Sequence, residues 1–77
     1  MKKLTDDQKV IYDYIVNYIK ENGYAPTYRE ISNDCHFCMV DAHTEVARIS
    51  GKGWLIVKKR APRAIKVVGY DFVKVEE

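Results

Sequence analysis

The sequence predicts an α+β domain in which three helices precede a β-hairpin. Three observations predict it. Two S/T-x-x-E/Q boxes, Thr5-Asp6-Asp7-Gln8 and Thr27-Tyr28-Arg29-Glu30, each stand ahead of apolar residues at helical spacing. Glycines, Gly23 and the Gly51-Lys52-Gly53 run, close the first and third helical stretches. After Gly53 the apolar period drops from about 3.6 to about 2, the change from helix to strand. The 77 residues suffice for one domain with a thin core. We place that domain at residues 1–69 and treat 70–77 as a tail.

The first helix follows Thr5, whose hydroxyl caps the free amides of the opening turn. Asp6 and Asp7 sit where the helix dipole favours negative charge. Val10, Ile11, Tyr14, Ile15, Tyr18 and Ile19 recur at spacings of three and four and form the predicted apolar face. Asn22-Gly23 ends the helix. Pro26 disfavours a helical Ala25, so Tyr24-Ala25-Pro26 is extended. Thr27 then opens a short second helix through about residue 34, with Tyr28 or Ile31 turned inward. Residues 35–38 read as a turn, although no glycine is there. The third helix is expected over residues 39–50. Met39, Ala42, Val46 and Ile49 share its inner face, and Val40, Asp41, Thr44 and Arg48 its outer one. Residues 54–59 and 64–69 are rich in β-branched and aromatic side chains and read as two strands about an Ala61-Pro62-Arg63 turn. Residues 70–75 alternate loosely and make either a further strand or a tail. The closely coupled second and third helices form a helix-turn-helix, and the hairpin is its wing. The expected architecture is thus a winged helix-turn-helix with a two- or three-stranded antiparallel hairpin.

No apolar run approaches the length of a membrane span, and the N-terminus lacks the apolar core of a secretion signal. A cytoplasmic protein is the expectation. Net charge is only +2, but its distribution is uneven. Residues 46–70 carry Arg48, Lys52, Lys58, Lys59, Arg60, Arg63 and Lys66 without one acid. Such a run suits phosphate. It equally suits a solvated hairpin whose lysines keep an edge from pairing with another chain.

Leu4-Thr5, Gln8, Ile15, Ile19 and the stretch Asn22-Gly23-Tyr24-Ala25-Pro26-Thr27-Tyr28-Arg29-Glu30-Ile31 fit a known pattern: an "LT…Q" opening and a "G-x-x-P-T-x-x-E-I" entry to the second helix. Arg63-Ala64-Ile65-Lys66 fits its "R-G/A-I-R" wing strand. Over about residues 4–68 the chain therefore resembles the N-terminal DNA-binding domain of the LexA family of bacterial repressors. It departs from the pattern at His36-Phe37-Cys38-Met39-Val40-Asp41, where the family has a Gly-Phe pair and an Asn; only Phe37 matches. Family members continue into a self-cleaving Ser/Lys peptidase domain. None is expected here, nor is any other catalysis.

The resemblance implies duplex DNA as partner. The third helix would enter the major groove, with Thr44 and Arg48 facing base edges and Val40 and Asp41 nearby. Lys52 and the wing residues Lys58, Lys59, Arg60 and Arg63 would neutralise phosphates. Thr27, Tyr28 and Arg29, at the second helix's start, offer free amides to a phosphate or serve only as its cap. For Asp41 the plain reading is a first-turn acid, and for Arg48 a solvated side chain. Cys35-x-x-Cys38 with His36 and His43 is half a zinc pattern, but every candidate ligand lies within nine residues. Reduced cysteines are expected, with no metal and no cofactor. A homodimer through residues 70–75 would give the two-fold contact that one domain lacks. The alternative function is a protein-binding module on the same fold, from a phage or mobile element, modulating a host repressor, nuclease or polymerase.

Overall fold

Both capping boxes close as the sequence dictates, in a computed structural model that describes residues 2–58 and 65–68. Thr5 Oγ1 accepts from the Gln8 amide at 3.2 Å while Gln8 Oε1 accepts from the Thr5 amide at 3.1 Å. They start α1 (Asp6–Asn22). Gly23 ends it at φ 82°, its N–H reaching the Ile19 carbonyl at 2.8 Å. The same reciprocal pair, Thr27 with Glu30 at 3.1 and 2.8 Å, starts α2 (Tyr28–Cys35). Each box satisfies two amides that a helix start would otherwise leave bare.

The turn after α2 solves its missing glycine with a histidine. His36 takes the left-handed conformation at φ 62° and ψ 40°, and its N–H bonds the Ser32 carbonyl. The Phe37 amide bonds the same carbonyl at 3.0 Å, and the Ser32 hydroxyl donates to the Phe37 carbonyl. These bonds reverse the chain into α3 (Met39–Gly51), one residue longer than expected. The Lys52 amide closes α3 on the Arg48 and Ile49 carbonyls at 3.0 and 3.1 Å, and Gly53 at φ 94° turns the chain. The antiparallel strands β1 (Leu55–Val57) and β2 (Ile65–Val67) follow, shorter than the sequence suggested. Leu55 faces Val67 and Val57 faces Ile65 on the inner side, while Ile56 and Lys66 face outward. The expected turn at Ala61-Pro62-Arg63 and the expected strand or tail at 70–75 lie outside the described residues.

The core forms where α3 packs on α1, α2 and β1. Ile11, Ile15, Ile31, Val46 and Ile49 are fully enclosed, and Leu55, Ile65 and Val67 seal it from the sheet. Three sequence expectations are corrected here. Val10 is 53% exposed. Residues four apart drift by about 40° round a helix, so Val10, at the start of the Val10–Tyr14–Tyr18 row, lies furthest from the core. Tyr12, left off the predicted apolar face of α1, is buried, because Trp54 covers it edge-on with ring centroids 5.2 Å apart. Met39 is 40% exposed rather than inward, since it opens α3 with no preceding turn to carry it over the core.

Candidate nucleic-acid interface

The start of α2 and one face of α3 converge on one side of the molecule. The α2 start is held by the Thr27–Glu30 box, so the Thr27 hydroxyl and amide are already engaged. The next amides, those of Tyr28 and Arg29, belong to the first turn and have no carbonyl within the helix to bond. Arg29 is exposed and Tyr28 half-buried. Burial pushes the Tyr28 hydroxyl above its usual value, so it stays a neutral donor near pH 7. Its ring meets the imidazole of His43 on α3, centroids 3.9 Å apart and tilted by 64°. That contact puts the start of α2 against the first half of α3.

Because Ala42, Val46 and Ile49 fix which side of α3 faces the core, the other side is fixed as well. Val40 stands on it 72% exposed, with Asp41 and Arg48 exposed and Thr44 half-buried. Ala47 and Gly51 are exposed there too, and nothing lies within 4 Å of where a Gly51 Cβ would be. The guanidinium of Arg48 is paired with Glu45 at 3.2 Å. Lys52 is half-buried, its ammonium turned to the Lys3 carbonyl at 3.0 Å and to Gln8 Oε1. Lys58 is exposed after β1. Lys59, Arg60 and Arg63 lie outside the described residues.

The cysteines flank the turn, Cys35 half-buried at the end of α2 and Cys38 exposed as the α3 N-cap, where its side chain makes no capping bond. Burial first, then the Asp34 charge, raises the Cys35 thiol, which keeps it protonated and a poor metal ligand. Among the described residues no three His, Cys, Asp or Glu side chains are grouped to hold a metal, and no helix is long and apolar enough to cross a membrane.

Nothing in the sequence marks His43 as a neighbour of Tyr28, since the two lie on different helices. Gln8 is marked in the sequence only as a capping residue. The i, i+3 spacing of Glu45 and Arg48 was a visible signal for their pairing. The approach of Gln8, 37 positions away from Glu45, had none.

Three helices, the middle one short and joined to the next by a tight turn, with a β-hairpin after them, define a winged helix-turn-helix domain. A family model, the LexA DNA binding domain, matches residues 1–64, and the chain belongs to that family. It is 37% identical over 68 residues to the LexA repressor of Thermosipho melanesiensis, covering 88% of this chain and 34% of that protein. The LexA repressor of Leptospira interrogans gives the same identity and coverage. That of Staphylococcus epidermidis is 36% identical over 80 residues, covering all of this chain and 39% of that protein. The chain thus spans between a third and two-fifths of the length of these curated relatives. The resemblance carried by the "NGYAPTYREI" stretch is therefore a family membership.

Proposed function

We propose that this domain is a sequence-specific duplex-DNA-binding transcriptional regulator that works as a repressor does, by occupying its site. The observation that carries the reading is the outward face of α3 standing beside the start of α2, Tyr28 against His43, in a chain of this family. In the proposed complex α3 lies in the major groove. Arg48 donates to a base edge, Thr44 and Val40 offer methyl groups to thymine, and Asp41 accepts from cytosine. The Tyr28 and Arg29 amides hold one phosphate, and Lys58, Lys59, Arg60 and Arg63 track the backbone beside the groove. Lys52 serves the interface indirectly, since its ammonium is engaged within the domain. One domain offers few contacts, so two copies on a two-fold site give the useful affinity. The dimer contact is assigned to residues 70–75.

Selection from random duplex DNA tests the reading. A single enriched motif is expected. Binding to it should weaken with salt, with a log–log slope of about −0.9 per phosphate neutralised. Changing Lys59, Arg60 and Arg63 together to Glu should abolish binding to that motif. An empty selection, or binding indifferent to salt, overturns the proposal. The exposed Met39 and Val40 at the start of α3 would then favour the protein-binding reading.

A further inference from the structure

Gln8 does more than cap α1. It is only 3% exposed, yet each of its side-chain polar atoms has a partner. Oε1 accepts from the Thr5 amide at 3.1 Å and from the Lys52 ammonium. Nε2 donates to Glu45 Oε1 at 3.0 Å. The other oxygen of Glu45, Oε2, accepts from Arg48 Nη1 at 3.2 Å. A line of hydrogen bonds therefore begins at a buried position of the first helix and ends on an exposed guanidinium of the third.

The chemistry leaves this line one orientation. Two donors, the Thr5 amide and the Lys52 ammonium, meet Gln8 on one side, so its carbonyl must face them. The NH₂ group must then face α3, where Glu45 is the acceptor. An exposed Arg–Glu pair is by itself too weak to hold two flexible side chains in one geometry. Here the glutamate is pinned from the protein side and its side chain is 19% exposed, against 62% for Arg48. Only the arginine end is left to move.

We propose that Gln8 is a positioning residue for DNA reading. It holds Glu45 in the rotamer that fixes the Arg48 guanidinium on the outward face of α3. The inference rests on the DNA-binding reading above and adds to it a determinant on the first helix, outside the helix that enters the groove. Arg48, its charge partly balanced by Glu45, then contributes direction more than attraction. Its base preference should depend on Gln8 while the salt dependence of binding does not.

The test uses the full chain and Gln8→Glu. Glutamate keeps the acceptor for the Thr5 amide and for Lys52, as Glu30 does in the second box, but it loses the donor to Glu45. Arg48→Ala first identifies the base pair whose preference it controls. Gln8→Glu should lower the preference at that same pair by about tenfold, the scale of one well-directed arginine contact. Other pairs, the salt slope and the fold as seen by circular dichroism should stay as in the parent, and the double variant should lose nothing beyond Arg48→Ala. Unchanged preference at that pair, or an equal loss at every pair, overturns the inference. Nitrogen-15 NMR of the free protein supplies a readout without DNA. Hindered rotation of the Arg48 guanidinium should be seen in the parent and lost in Gln8→Glu, and equal mobility in both overturns the positioning. If the parent binds no duplex, the DNA reading falls, and the NMR comparison alone decides whether Gln8 holds Arg48.

Discussion

Replacing His36 by glycine isolates the conformational cost of the turn between α2 and α3. His36 sits at φ 62° and ψ 40°, a left-handed conformation in which its Cβ crowds the following carbonyl. That crowding costs an L residue about 1–2 kcal/mol. Glycine escapes it but gains freedom in the unfolded chain, which takes back about 0.5–1 kcal/mol. The imidazole is exposed, so little packing is lost with it. The balance favours His36→Gly by about 0.5–1 kcal/mol, which for a domain of this size raises Tm by roughly 2–8 °C. Thermal unfolding followed by far-UV circular dichroism reads the shift. His36→Ala is the control. Alanine keeps the Cβ and loses only the imidazole, so its Tm should stay at or slightly below that of the parent. A glycine variant melting no higher than the parent, or an alanine variant gaining as much as glycine, refutes the reasoning.

Ile31 is fully enclosed between α2 and the rest of the core, so Ile31→Ala should cost about 2–5 kcal/mol in urea unfolding. A loss below about 1 kcal/mol would mean that α2 is not anchored through it. The Tyr14 hydroxyl donates to Asp34 Oδ2 at 2.5 Å and ties α1 to the end of α2. Burial first, then that bond and the Asp34 charge, raise it well above its usual value near 10. A folded-state value raised in this way leaves the contribution intact below pH 10 and removes it as the pH climbs beyond. Tyr14→Phe should therefore be the less stable protein near neutrality, and the gap to the parent should narrow in alkaline melts. A gap that is constant or widens with pH contradicts this.

Local rules made most of the scaffold legible. Capping boxes act over three residues, and both Thr5–Gln8 and Thr27–Glu30 close as written. The Ile11, Ile15 and Ile19 part of the α1 row and the Ala42, Val46 and Ile49 face of α3 follow from helical spacing alone. Legibility ended where a distant segment decides the outcome. Nothing local to Tyr12 announces Trp54, 42 positions on, as its cover. The turn at residues 35–38 was legible as a turn, but not its means, because a histidine in a left-handed conformation leaves no compositional mark. Of the candidate interface, the outer face of α3 was legible. The inward commitment of Lys52 was not, since its partners, Lys3 and Gln8, come from the other end of the chain.

The sole tryptophan occupies a junction of three segments. Its ring lies edge-on to Tyr12 of α1, its indole N–H bonds the Lys2 carbonyl at 2.6 Å, and its own carbonyl accepts from the Val68 amide at 3.0 Å. The protein thus carries an unlabelled optical probe where its first residues, first helix and second strand meet. Emission from Trp54 should report the docking of the hairpin separately from helix content, which circular dichroism follows. Comparing the two signals along one unfolding curve would show whether hairpin and helices part company or melt as one unit.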